Sequence, residues 1–148
     1  MRAPASTLAL DAAILVAAAL GRSSGAFLAV ARAARLVTTD RVVEEARRRI
    51  ELGLKRPELL AIVNGLVAEA TVVPVAALEP LTAGCEAVLR DAVASRNGSV
   101  RDAHVLALAW SADADIWTTD RDFAGTGVAT WSTTNLMRGL AEADRGAA

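Results

Sequence analysis

The sequence predicts an α/β fold, a three-layer α/β/α sandwich built on a mostly parallel central sheet. Short aliphatic or β-branched runs alternate with helical segments along the whole chain, which is the pattern of strands joined by helical crossovers. The residues are 53% hydrophobic but only 3% aromatic, so a core of Ala, Val and Leu must let helices lie closely on a sheet. Two of the strand-like runs, Thr7 to Leu10 and Asp115 to Thr119, are each followed by an aspartate, Asp11 and Asp120. Open α/β sheets bind ligands just beyond their strands' carboxyl ends.

The elements follow in order. A first strand, Thr7 to Leu10, leads into an apolar helix from Ala12 to Leu20. Gly21 to Gly25 reads as a loop, and a short helix follows to about Ala34. Arg35 to Thr38 forms a second strand, and Asp40 is the expected N-cap of a helix running to Leu52. Gly53 and Pro57 punctuate its end, and Glu58 to Ala68 makes the next helix. Thr71 to Val75 is a third strand, with Pro74 placing it at a sheet edge. Helices from Pro80 to Ser95 and from Val100 to Ala112 are separated by the Asn97-Gly98 turn. A fourth strand ends at Asp120, a fifth covers Val128 to Trp131, and a last helix gives way to a polar tail after Ala143. With no repeat, linker or low-complexity block, the expectation is one domain over 1–148, with a core of about 7–132 and a tail of about 143–148.

A chain of 148 residues is long enough to bury a real core. Its formal net charge of −1 offers no global basic field, although nucleic-acid binding depends on where charges lie. Basic residues are nearly all Arg, with Lys55 the only lysine. The one cysteine, Cys85, forbids an internal disulfide and a Cys-based zinc site, and its apolar helical surroundings suit a small buried hydrophobe. A single histidine, His104, excludes multi-histidine metal sites. Arg2 and the apolar stretch Leu8 to Leu20 resemble a weak signal peptide, but Asp11 inside that stretch opposes insertion. The run is also short of the roughly 20 residues a membrane span needs. The expectation is a buried strand and helix in a cytoplasmic protein without membrane contact.

Four acids stand at the ends of different elements: Asp11, Glu45, Asp102 and Asp120. Clustered carboxylates raise one another's pKa, and a hard, oxygen-preferring dication relieves that cost. A magnesium- or manganese-type site is therefore expected. Each acid also has a structural alternative. Asp11 can cap its helix, and Ser99-Val100-Arg101-Asp102 fits a capping box. Glu45 can be a solvated helix residue, and Asp120 a turn former. Helical phase puts Val42, Val43, Ala46 and Ile50 on one buried face, with Glu45 at its border and Glu44 pointing away. On the later helix Ala103, Leu106, Ala107 and Trp110 form the expected buried stripe, bordered by Asp102. His104 falls near the opposite border, which makes it structural or solvated rather than a metal ligand.

Four segments carry a resemblance: Leu8 to Val16, Val42 to Ala46, Asp102 to Ala109, and Ala114 to Phe123 with its acidic Asp120-Arg121-Asp122-Phe123 turn. In this order and spacing the chain resembles a PIN domain, the nuclease fold of VapC-type toxins of toxin–antitoxin pairs, over about Leu8 to Trp131. The resemblance implies metal-dependent hydrolysis of RNA. Asp11, Glu45, Asp102 and Asp120 would hold one or two Mg²⁺ or Mn²⁺, with Asp122 as a further ligand. It also implies a small antitoxin bound in an apolar groove between early helices, and a homodimer. Arg22, Arg96 and Arg101, near loops or helix starts, are candidate contacts to the RNA backbone, whereas Arg47, Arg48 and Arg49 scatter around their helix as a solvated face. One departure stands out. Ala12 and Ala13 occupy positions where family members usually place a polar residue, often Asn or Thr, whose hydrogen bond would orient Asp11. That motivates an alternative: a catalytically silent PIN module that binds RNA or a protein partner. A phosphotransfer domain fits less well, because Lys55 is badly placed for a receiver and Ala13 occupies the second acid position of a haloacid-dehalogenase-like phosphatase.

Overall fold

Strand β1 (Thr7–Leu10) lies at the centre of a five-stranded sheet of order β3-β2-β1-β4-β5, and all four pairings are parallel. The computed structural model describes residues 2–90, 103–119, 123 and 126–147. Leu8, Ala9 and Leu10 are fully buried, as a central strand covered on both faces requires. Its neighbours are β2 (Arg35–Thr39) and β4 (Asp115–Trp117), with β3 (Ala70–Val73) and β5 (Thr130–Trp131) at the edges. Pro74 follows β3 directly, so its missing N–H costs the ladder nothing.

Among the described residues, seven α-helices cover the sheet. Helices α1 (Ala12–Ala19), α3 (Asp40–Arg48) and α4 (Leu60–Val67) pack on one another, and α2 (Ser24–Ala33) packs on α1 and on α7 (Thr133–Ala147). Helices α5 (Glu79–Arg90) and α6 (Ala103–Ala112) form a separate layer, with α6 lying on β1, β2 and β4. Phe27 of α2 stacks on Trp117 of β4 with centroids 5.6 Å apart, a contact worth about 1 kcal/mol beyond its buried area. Cys85 is fully buried in α5, and burial pushes its thiol up to about 11.

Several boundaries differ from the expectations. Thr39, not Asp40, is the N-cap of α3: its hydroxyl accepts from the Val42 N–H at 3.1 Å, while Asp40 opens the helix. The Asp40 carboxylate instead accepts from the N–H of Val75 at 2.9 Å and ties α3 to the segment after β3. Helix α3 does not run regularly to Leu52 but widens into a π turn over Arg49–Gly53. A 3-10 turn, Pro57–Leu59, precedes α4. Trp110 is 39% exposed rather than part of a buried stripe, because α6 is buried around its whole circumference from Ala103 to Ala109 and Trp110 lies past the covered part. The last helix continues to Ala147 in place of a tail from Ala143. The Asn97-Gly98 turn lies outside the described residues.

Candidate functional site

The strand order reverses between β1 and β4: the chain moves outward through β2 and β3 on one side and through β5 on the other. In open α/β sheets ligands bind beyond the strands' carboxyl ends at such a reversal. Asp11 occupies that place. Its backbone N–H reaches the Trp117 carbonyl at 3.4 Å, so the main chains stay in register up to the turn into α1.

The Asp11 side chain is only 9% exposed. As N-cap of α1 it accepts through Oδ1 from the Ile14 N–H at 3.3 Å, and the Thr118 hydroxyl donates to Oδ2. Both carboxylate oxygens are therefore held. Thr118 is the residue that sequence reasoning missed. It supplies Asp11 with the side-chain hydrogen bond that Ala12 and Ala13 cannot give. Local pattern carried no signal for it, since Thr118 comes beside Asp11 through the pairing of β4 with β1.

Glu45 projects from α3, which packs against α1. Its side chain is half-exposed and pairs with Arg49 one turn later at 3.1 Å. Glu44 makes the corresponding pair with Arg48 at 2.7 Å, and Arg47 donates to the Asn64 side chain of α4 at 2.6 and 3.1 Å. Arg22 is exposed in the turn after α1. Asp102, Asp120, Asp122, Arg96 and Arg101 lie outside the described residues. Among the described residues no three Asp, Glu, His or Cys side chains converge on one point.

His104 is buried at the start of α6, and its Nδ1 lies 3.0 Å from Thr39 Oγ1. That hydroxyl already accepts from Val42 N–H, so its proton is available to Nδ1. Burial, and then the nearby Arg41 guanidinium, push the imidazole down to about 4 against the opposing pull of Asp40. At neutral pH His104 is uncharged and joins α6 to the β2–α3 junction.

Among the described residues Asp11 is the carboxylate placed at this switch point, and its oxygens are hard donors. A buried, doubly held carboxylate at a switch point suits Mg²⁺ or Mn²⁺ better than softer metals.

Solved structures that share the fold include the following three. VapBC2 from Rickettsia felis, bound to a DNA fragment from their promoter, superposes with a TM-score of 0.67 at 11% identity, covering 85% of this chain and 98% of that one. PAE2754 from Pyrobaculum aerophilum gives a TM-score of 0.61 at 17% identity, covering 92% and 96%. VapC20 from Mycobacterium tuberculosis, described as a sarcin-ricin loop cleaving toxin, gives 0.60 at 18% identity, covering 82% and 95%. No curated protein matches the sequence. The sequence profile of the PIN domain matches residues 9–141, from inside β1 into α7. That match spans nearly all of the sheet and its helices, and the chain belongs to the PIN domain family.

Proposed function

We propose that this protein is a Mg²⁺- or Mn²⁺-dependent endoribonuclease and the toxin of a toxin–antitoxin pair. Asp11 carries the reading: a carboxylate held in one orientation, nearly buried, at the switch point of a parallel sheet. Membership of the PIN family supports nuclease chemistry. The fold shared with a toxin described as cleaving the sarcin-ricin loop supports RNA as substrate.

In this reading Asp11, Glu45, Asp102 and Asp120 hold the dication, with Asp122 as an additional ligand. The bound ions would activate water for attack on a phosphodiester and stabilise the departing oxygen. The protein's share is orientation. Ile14 N–H and the Thr118 hydroxyl fix the Asp11 carboxylate before anything binds, which avoids reorganisation on loading. Glu45 must leave its pair with Arg49 to act as a ligand, a small cost for a half-exposed ion pair. Arg22, Arg96 and Arg101 contact the RNA backbone.

Thr118 weighs against the silent-module alternative, since Asp11 has an orienting partner despite Ala12 and Ala13. The proposed partners are RNA, a small antitoxin and a second copy of this chain. An apolar groove of about 620 Å³ between α2 and α7, lined by Ala29, Ala33, Met137 and Leu140, offers a surface for an apolar partner segment. Its second wall is the last helix rather than another early one. Among the described residues no helix is long and apolar enough to cross a membrane, and the proposed setting is the cytoplasm.

Asp11→Asn is the direct test. Asn caps a helix as well as Asp does, so the variant should keep the native circular dichroism and melting temperature. Mn²⁺-dependent cleavage of single-stranded RNA should disappear. Cleavage at the native rate would remove Asp11 from the chemistry.

A further inference from the structure

The start of α3, the segment between β3 and α5, and the start of α6 enclose a cavity of about 430 Å³. Arg41, Glu79, Thr82, Glu86 and His104 line it together with Val75, Ala76 and Ala103. The volume falls in the range of small-molecule sites. The cavity is built rather than incidental. The Asp40 carboxylate ties Val75 to the first turn of α3, fixing one wall. Glu79, Thr82 and Glu86 follow the i, i+3, i+7 spacing of one helix face, so α5 presents two carboxylates and a hydroxyl along one stripe. His104 is 4% exposed, its Nδ1 is taken by Thr39, and among the described residues nothing reaches its other ring nitrogen. Among the described residues neither Glu79 nor Glu86 forms an ion pair there, and neither does Arg41.

We infer that this cavity is a nucleobase subsite, selective for a base that carries an exocyclic amino group, guanine foremost. The inference rests on the ribonuclease reading for its setting, because α6 begins next to Asp102. Carboxylates accept hydrogen bonds and do not donate them. Two of them along one wall reward a base edge rich in N–H groups and disfavour a phosphate. The Watson–Crick edge of guanine presents adjacent N1–H and N2–H donors, which one carboxylate can take as a pair. Cytosine and adenine offer an amino group, whereas uracil offers one imino N–H between two carbonyl acceptors that would face like acceptors. Single-stranded RNA is read in this way, by splayed bases hydrogen-bonded on their open edges. Arg41, also in the lining, supplies a guanidinium for the phosphate attached to that base or for stacking on its plane.

The test separates the subsite from the cleavage chemistry. Fluorescein-labelled single-stranded RNA heptamers, uridine throughout except for a central G, C, A or U, are titrated into the Asp11→Asn protein and followed by anisotropy. The guanine heptamer should bind about tenfold more tightly than the uracil one, the discrimination expected of one good paired contact. Glu79→Gln combined with Glu86→Gln should bring the four affinities together while leaving uracil binding unchanged. Both substitutions are near-isosteric on a partly exposed face, and circular dichroism of the double variant verifies its fold. Equal affinities for all four heptamers, or a preference that survives the double substitution, overturns the subsite. Base-selective binding by a native protein that cuts none of these RNAs keeps the subsite and overturns the ribonuclease reading. Cleavage without base-selective binding does the reverse.

Discussion

The central strands of this sheet carry a nearly buried aspartate at each end, and the two are held by different donors. At the amino ends Asp115 opens β4 and is 3% exposed. It accepts from the Arg2 guanidinium at 3.2 Å, from the Ala5 N–H at 2.9 Å and from the Trp131 indole N–H at 2.9 Å. Those donors come from the N-terminal segment and from β5, so the carboxylate staples the chain's first residues under the sheet. Packing there leaves no slack: a Cβ on Gly139 of α7 would meet Pro4 at 3.1 Å and Trp131 at 3.2 Å. At the carboxyl ends Asp11 accepts from a backbone N–H and a hydroxyl, at the point where the strand order reverses. One carboxylate is bound into the structure by a cation and an indole. The other accepts from a backbone N–H and a hydroxyl, which fix its direction.

The contrast can be broken at either end. The largest effect on stability belongs to Asp115→Ala, which leaves the Trp131 indole N–H and the Ala5 N–H without their acceptor and should cost about 3–4 kcal/mol in denaturant unfolding. RNA cleavage per folded molecule should stay unchanged. A variant that is stable but inactive would place the functional acid at the wrong end.

His104 should contribute about 3 kcal/mol of pH dependence. Its folded value is held below the ordinary 6.5, at about 4, by burial and Arg41 against the pull of Asp40, with Glu79 and Glu86 facing the same cavity. The folded state thus binds fewer protons than the unfolded chain in that window. The stabilisation is complete above pH 6.5 and is lost as the pH falls towards 4. In metal-free buffer, His104→Gln should flatten this part of the pH–stability curve, and the imidazole resonance should titrate near 4. A midpoint near the ordinary 6.5 would show that the ring is not buried as described.

Thr118→Val sharpens the account of Asp11. Removing the hydroxyl should slow cleavage by about 10- to 100-fold, the usual effect of losing an orienting partner of a ligand. A Thr118→Val enzyme as fast as the native one would mean that the hydrogen bond has no bearing on activity. The smallest effect should come from Arg2→Ala, since Arg2 is 66% exposed and its bridge to Asp115 is worth no more than about 1 kcal/mol.

Much of this architecture was legible because local pattern and tertiary layout agree. The alternation gave five strands in the right places, and Pro74 marked β3 as an edge. Asp11 could be read from sequence because the position after a buried strand and before an apolar helix is both a cap and a switch-point residue. Disagreements arose where distant partners decide the outcome. Thr39 and Asp40 are equally good caps locally, and Asp40 is diverted by Val75, which lies far along the chain. The stripe ending at Trp110 assumed one buried face, whereas α5 and three strands surround α6. Thr118 reaches Asp11 only through the β1–β4 pairing, which no local pattern encodes.

We propose that Asp11, and not Asp115, is a metal-holding carboxylate. Calorimetric titration of Mn²⁺ into the native protein, Asp11→Asn and Asp115→Asn, each confirmed as folded, tests it directly. The native and Asp115→Asn proteins should bind Mn²⁺ alike, and Asp11→Asn should show little or no heat of binding. Equal binding by all three, or binding lost only in Asp115→Asn, would contradict the account.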